Sequence, residues 1–241
     1  RRVLFRSPEE LAGLVDIWCP LSARLADGMR FYRQRIEAGE SLWLYVCCSP
    51  KPPYANFLVD QPAIDHRILF WQARQAGATG VLYWCICWWD GLPGPANGQP
   101  PFPEVPLRFA DHLGTYRSFG VNGDGVLVWP GPEQTPYPSI RLEVIRDGIE
   151  DYEYLALLER CTEAAAAGAG GSLERSARLQ AARALCQVPD TVSRTFTDFT
   201  KDRRLLLARR AAVADAIEAL TAEIGFEPPP VPWLHPRPSG R

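Results

Sequence analysis

Four short apolar runs, each bounded by turn-forming residues, punctuate the first part of the chain: Leu14 to Cys19, Leu42 to Cys48, Gly80 to Trp89 and Gly125 to Trp129. Each is too short for a helix and rich in Val, Ile, Trp and Tyr, side chains that suit a pleated surface, so each is read as a strand. Their near-continuous apolarity, without clean alternation, is the pattern of strands buried on both faces, as in parallel sheets. Between the first two, Leu25, Met29, Tyr32 and Ile36 recur at three and four residues within Ser22 to Glu40, one face of an amphipathic helix. Ile64, Ile68, Trp71 and Gln75 do the same between the second and third, after Pro62 and before Gly77. Strand, helix, strand, helix, strand predicts βαβ units and a parallel sheet.

Ser7-Pro8-Glu9-Glu10 reads as the capped start of a short helix ending near Gly13. From Asp90 to Gly120 the density of Pro and Gly predicts a long ordered loop, a feature that usually carries function in a compact domain. Pro138-Ser139 then opens a helix with Leu142, Ile145, Ile149, Tyr152 and Leu155 or Ala156 on one stripe. Gly168 to Gly171 breaks it, and two more amphipathic helices follow, near Leu173 to Gln187 and Lys201 to Ile224.

Composition narrows the function classes. The 241 residues are 46% hydrophobic and 22% charged, enough to bury a sizeable core. A formal net charge of -2 gives no basic footprint for nucleic acid or an anionic membrane, so a small neutral ligand is favoured. No apolar run reaches the roughly 20 residues of a membrane helix. The seven cysteines are odd in number and lie mostly inside apolar runs, which is not a disulfide framework. Cys47 and Cys48, adjacent in a strand, should point to opposite faces and so fail to share a metal ion. Compartment stays open on these grounds.

Ligands of parallel barrels and open α/β sheets sit at the C-terminal ends of the strands. That places Asp16, Trp18, Cys19, Cys47, Cys48, Trp88, Trp89 and Trp129 near the candidate rim. A crevice lined by Trp, Tyr and carboxylates suits sugars, whose C–H faces stack on aromatic rings while their hydroxyls bond polar groups. Trp43 and Trp71 are read instead as filling the layer between sheet and helices. Asn122-Gly123-Asp124-Gly125 reads as a tight turn at the N-terminal face, far from the chemistry. Of the acidic run Glu150-Asp151-Tyr152-Glu153, solvated or Arg-paired carboxylates are the reading that helical spacing favours. His66, His112 and His235 have no spacing suited to metal or nucleophilic catalysis.

Three stretches taken in order carry a family resemblance. The first is Leu42-Trp43-Leu44-Tyr45-Val46-Cys47 with Pro50, Pro53, Asn56, Asp60, Pro62 and Arg67. The second is Gly80-Val81-Leu82-Tyr83-Trp84 with Trp88. The third runs from Asn122-Gly123-Asp124-Gly125 through Trp129-Pro130-Gly131 into Pro138-Ser139-Ile140-Arg141-Leu142 and Arg146-Asp147-Gly148-Ile149-Glu150-Asp151-Tyr152-Glu153. Together they resemble the catalytic domain of glycoside hydrolase family 123, from about Val15 to Leu158.

The resemblance implies a (β/α)₈ barrel and a retaining mechanism in which the substrate's 2-acetamido group is the nucleophile, an exception to the two-carboxylate scheme. An Asp-Glu pair serves there, Glu as acid/base and Asp orienting the acetamido group, at the end of a middle strand. This sequence contains no Asp-Glu dipeptide. Its strands match the fifth to eighth, so the pair is expected upstream of Arg1, no catalytic residue is assigned in this chain, and the missing N-terminal half is its implied partner. The fold expectation is therefore α/β, the C-terminal half of a (β/α)₈ TIM-type barrel with about four parallel strands, followed by C-terminal helices. Residues 1–7 are set aside as a suspected non-native extension; 8–166 form the partial barrel, 167–226 helices packed on it, and 227–241 a Pro-rich mobile tail. Asp16, Trp18, Tyr45, Trp84, Trp88 and Trp89 are the expected carbohydrate contacts, with no metal and no cofactor. The parent protein is read as a glycosidase, with N-acetylhexosaminides the substrates that the resemblance implies, and the isolated chain as inactive. The competing reading is a non-catalytic carbohydrate-binding or scaffold barrel.

Overall fold

The computed structural model describes residues 8–88, 120–130, 136–167 and 172–224. A 3-10 turn at Pro8–Leu11 precedes β1 (Ile17–Trp18), α1 (Ser22–Glu37), β2 (Ser41–Val46), α2 (Ala63–Ala76) and β3 (Gly80–Tyr83). There follow β4 (Val128–Pro130), β5 (Pro136–Pro138), α3 (Ile140–Ala167), α4 (Leu173–Leu185) and α5 (Arg203–Ile224). Two compact units result, one from the chain up to Tyr152 together with Val188–Leu207, the other from Glu153–Gln187 together with the chain from Ala208 onward.

In the first unit β1, β2 and β3 form a parallel sheet in that order. Two βαβ steps run in the same direction across the sheet, and the right-handed rule for such crossovers puts α1 and α2 on one face. Burial along β2 shows which: Leu42, Leu44 and Val46 are at most 1% exposed, whereas Ser41, Trp43 and Tyr45 on the opposite face are half-buried. The second face is thus more open than the sequence pattern predicts. Trp43 lies on it, not in the helix layer, and its indole occupies the space beside Gly80, where a Cβ would come within 2.8 Å of the ring. Trp71 does fill the helix layer, at 1% exposure. Helix α2 stops at Gly77, whose φ of 74° is the left-handed cap that glycine supplies without strain.

The fourth parallel strand expected at Gly125–Trp129 is not formed. Val128–Pro130 pairs antiparallel with Pro136–Pro138, and Val126 makes an antiparallel bridge to Cys87. Gly123 and Gly125, at φ 75° and 76°, reverse the chain there. A short apolar run specifies extended backbone but not the direction of its partner. Among the described residues the sheet is therefore three-stranded and no closed barrel is present.

The first turns of α3 dock on α2 through a close approach at Gly148, where a Cβ would lie 2.4 Å from the Phe70 ring. Val188–Leu207 runs along α2 and is tied to it by Gln75 Nε2 donating to Ser193 O at 2.9 Å and by the Lys201–Asp65 ion pair at 2.5 Å. The second unit is helical: Leu155, Leu158, Cys161, Val213 and Leu220 are buried within it. Arg209 there donates to the carbonyls of Ala184, Leu185 and Gln187 at the end of α4, where a cation complements the helix dipole.

Candidate active-site rim

The loop after β2 leaves the sheet at its C-terminal edge and is organised by one side chain. Asn56, fully buried, donates to Cys47 O at 2.8 Å and Pro50 O at 2.9 Å and accepts from the Phe57 amide at 2.7 Å. Asp60, farther along, accepts from the backbone N–H of Asn122 at 2.7 Å and from its side chain at 2.5 Å. Val59 N–H donates to Asn122 O at 3.0 Å. The Asn122–Gly125 turn is thus stapled to the same C-terminal edge, not to the N-terminal face expected for it.

That placement brings Asp124 to the ends of β2 and β3. Its carboxylate is 2% exposed and accepts from Trp84 Nε1 at 2.9 Å and Tyr83 Oη at 3.1 Å, with the Cys48 amide as a further donor. The Tyr83 hydroxyl in turn lies 2.7 Å from the Gly125 amide nitrogen, which donates to it. Arg141 holds the turn from its other side, donating to Phe57 O at 2.7 Å, Gly123 O at 2.9 Å and Val126 O. Gly123 must be glycine here, since a Cβ would fall 2.8 Å from the guanidinium. Trp88 N–H donates to Gly125 O at 2.8 Å, and the Trp84 and Trp88 rings meet edge to face at 5.3 Å.

Burial raises the Asp124 pKa, and the Trp84 and Tyr83 hydrogen bonds oppose the shift in part. Burial likewise pushes the Tyr45 hydroxyl up to about 12, with Cys47 hydrogen-bonded beside it and the Asp124 charge adding to the effect. The Cys48 thiol is raised to about 11 by burial and by its neighbour Cys47. Tyr45 and Cys48 therefore stay protonated at neutral pH, and the wall offers neutral hydrogen-bonding groups and indole faces around one buried carboxylate. Hydroxyls and indole faces of this kind are the groups that hydrogen-bond and stack on a hydroxylated ligand.

The structure gathers Tyr45, Trp84 and Trp88 at this rim and separates two others from it. Asp16 is exposed and precedes β1, at the N-terminal end of the sheet, because the strand begins only at Ile17. Trp18 is 6% exposed and packs edge to face on Phe31 and Tyr32 of α1, with its Nε1 donating to Glu40 at 2.5 Å. In a strand paired Trp18 to Leu42, that side chain shares the helix face. Trp89 lies outside the described residues. The Cys47 and Cys48 sulfurs sit 3.9 Å apart, because β2 ends at Val46 and strand alternation no longer applies beyond it. Asp124 is the rim residue that sequence reasoning missed. The signal available was Tyr83-Trp84 at a strand end: two aromatic side chains with polar tips that need a buried acceptor.

Residues 6–158 match the family described as Glycoside hydrolase 123, catalytic domain. The chain belongs to that family. No curated protein matches it. A glycoside hydrolase domain implies a carbohydrate substrate, and the rim of aromatic and polar groups is of the chemistry that binds one.

Within this glycoside hydrolase 123 domain, Asp151 and Tyr152 of the acidic stretch are structural. Asp151, 1% exposed, accepts from Arg67 Nε at 2.6 Å, Arg67 Nη2 at 2.8 Å and Trp71 Nε1 at 2.8 Å. Tyr152 donates to Ala78 O at 2.9 Å. These contacts fix α3 against α2 and hold Arg141, at the start of α3, under the Asn122–Gly125 turn. Among the described residues no group of His, Cys, Asp and Glu is placed to hold a metal, and no described helix is long and apolar enough to cross a membrane.

Proposed function

We propose that this rim forms part of the substrate wall of a glycoside hydrolase acting on N-acetylhexosaminides by the substrate-assisted retaining route. The observation that carries the reading is the Trp84–Asp124 pair, an indole 41% exposed whose N–H is held by a carboxylate 2% exposed. A half-open indole fixed in this way offers a pre-ordered face to a sugar ring, and Tyr45 and Trp88 add a hydroxyl and a second ring beside it. Asp124 does not reach solvent, so it is a positioning residue. The acid/base pair is assigned to sequence other than these 241 residues, which contain no Asp-Glu dipeptide. Trp89 is retained as a proposed contact. Asp16 and Trp18 are withdrawn, on their positions.

The product of the whole gene, assayed against aryl N-acetylhexosaminides and a broad glycoside panel, is expected to release aryl alcohol from the N-acetylated substrates. Hydrolysis confined to glycosides without a 2-acetamido group overturns the mechanism. No turnover on any glycoside overturns the enzymatic reading.

A further inference from the structure

The loop after β2 brings two thiols together. Cys47 and Cys48 are both partly open to solvent, and their sulfurs lie 3.9 Å apart. In a continuing strand the two side chains would point to opposite faces. Here β2 ends at Val46 and the Cys47 amide donates to Ser49 O at 2.9 Å, so the chain bends within the pair and the sulfurs come to one side. Hydrolysis at the rim makes no use of either thiol.

Geometry and the number of donors select what joins such a pair. A disulfide has its sulfurs about 2.05 Å apart and its Cα atoms about 4.4–6.8 Å apart, whereas consecutive Cα atoms are about 3.8 Å apart, so direct oxidation does not fit the pair as it stands. A zinc-type ion takes three or four protein donors, and among the described residues no third His, Cys, Asp or Glu completes such a set. A single atom bonded to both sulfurs at about 2.3 Å, with a bond angle between about 100° and the tetrahedral value, holds them about 3.5–3.8 Å apart. That is close to the separation already present. An element that forms three bonds, one of them taken by carbon, needs two sulfurs and nothing more. Trivalent arsenic bearing one organic group has that valence, and it is soft, as thiolate ligands prefer.

The condensation balances without an oxidant. R–As(OH)₂ and two thiols give R–As(S)₂ and two waters: two As–O and two S–H bonds break, two As–S and two O–H bonds form, and arsenic stays trivalent. The event is felt at Asp124, because the Cys48 amide is one of the donors to the carboxylate that holds Trp84 Nε1 at 2.9 Å. Beyond β3, Cys87 is exposed with Cys85 hydrogen-bonded beside it, which makes that second pair the internal competitor.

We propose that Cys47 and Cys48 form a dithiol site for a monosubstituted trivalent arsenical, bound through both sulfurs at the rim, and that its occupancy is transmitted through the Cys48 amide to the Asp124–Trp84 contact. Capture does not depend on whether the rim binds or hydrolyses sugar.

The test treats the full chain with an equimolar amount of phenylarsine oxide, reads the intact mass, and maps the adduct by tandem mass spectrometry after proteolysis. One arsenical is expected on the peptide that carries Cys47 and Cys48. It is expected to persist in about 1 mM mercaptoethanol and to leave with a small dithiol, since the second As–S bond forms at the effective concentration of a tethered partner. The double variant Cys85→Ser, Cys87→Ser is expected to keep this capture. Adding Cys47→Ser or Cys48→Ser to it is expected to weaken retention about a hundredfold, the loss of that tethered bond. In the ¹⁵N-tryptophan-labelled chain, loading is expected to shift the Trp84 indole N–H and leave Trp71 in place. Capture is overturned if the adduct maps to Cys85 and Cys87 instead, if the monothiol removes it, or if it persists after either added serine; the mapped peptide decides the matter should a serine variant fail to fold. An adduct on Cys47 and Cys48 that leaves Trp84 unmoved overturns the coupling to the rim.

Discussion

Trp84 Nε1 donates to Asp124 Oδ1 at 2.9 Å, so an indole just past the end of β3 is anchored by a carboxylate from a turn 40 residues later in the chain. The same carboxylate takes the Tyr83 hydroxyl and the Cys48 amide. Asp124→Ala leaves those donors without their acceptor, two of them on half-buried or buried groups. The expected loss is about 2–3 kcal/mol of folding stability, measured by denaturant unfolding, since each buried donor left unmet costs about 1–3 kcal/mol and Trp84 can turn to water.

Gly125 and Gly13 share a left-handed φ, 76° and 77°, but have different surroundings. A Cβ at Gly13 would meet nothing within 4 Å, and one at Gly125 would lie 2.5 Å from the Trp84 ring. Gly13→Ala is expected to cost only the left-handed backbone strain, about 1–2 kcal/mol. Gly125→Ala is expected to cost more and to shift tryptophan emission, because the indole must move. Equal effects of the two substitutions would show that Trp84 is not packed on this turn.

Asp151 and Glu150 are neighbours on α3 with opposite environments. Asp151→Ala strips the half-buried Arg67 of its bidentate partner and Trp71 Nε1 of its acceptor, and is expected to cost about 3 kcal/mol, the low end for breaking a buried pair because Asp147 still faces Arg67. Glu150→Gln, at a side chain 49% exposed, is expected to stay within about 0.5 kcal/mol. Thermal or urea melts of the two variants separate a structural from a surface carboxylate.

Stability should also report His66. Burial first, and the Arg141 charge in addition, lower its folded pKa to about 4 from 6.5, while the Leu58 hydrogen bond opposes them. Between those values the unfolded chain binds the proton and the folded chain does not, so stability is complete above pH 6.5 and falls as pH drops toward 4. A shift of this size corresponds to about 3 kcal/mol at about 1.4 kcal/mol per unit. In His66→Gln, where the amide can still donate to Leu58 O, that part of the pH dependence is expected to vanish between pH 7 and 4.

Much of this architecture is legible in the sequence, and the limits have physical causes. Helical periodicity at Leu25, Tyr32, Ile68 and Trp71 places α1 and α2 correctly, and Gly77 marks the stop of α2 because its left-handed cap is a local property. The direction of Val128–Pro130 is not local: it depends on which strand the chain meets after Gly125, and apolar content carries no such information. Trp18 and Tyr45 look equivalent in sequence, each aromatic in an apolar run. Register separates them, since Trp18 pairs with Leu42 on the helix face while Tyr45 falls on the open face. Asp124 escapes notice because an Asp between two glycines is explained as a turn before its side chain is considered. Helical spacing reads the acidic run as solvated or Arg-paired without choosing between them, and the burial of Asp151 and its bonds to Arg67 and Trp71 need the packing of α3 on α2.

Sugar contact at the β2–β3 rim is read out by the indole N–H resonances of the ¹⁵N-tryptophan-labelled chain. Trp18 and Trp71 serve as internal references, with their N–H groups held by Glu40 and Asp151 away from the rim. Titration with an N-acetylhexosamine disaccharide is expected to shift the Trp84 and Trp88 resonances saturably while Trp18 and Trp71 stay in place. Movement of the two reference indoles with Trp84 and Trp88 unmoved, or no movement of any indole, would contradict the account.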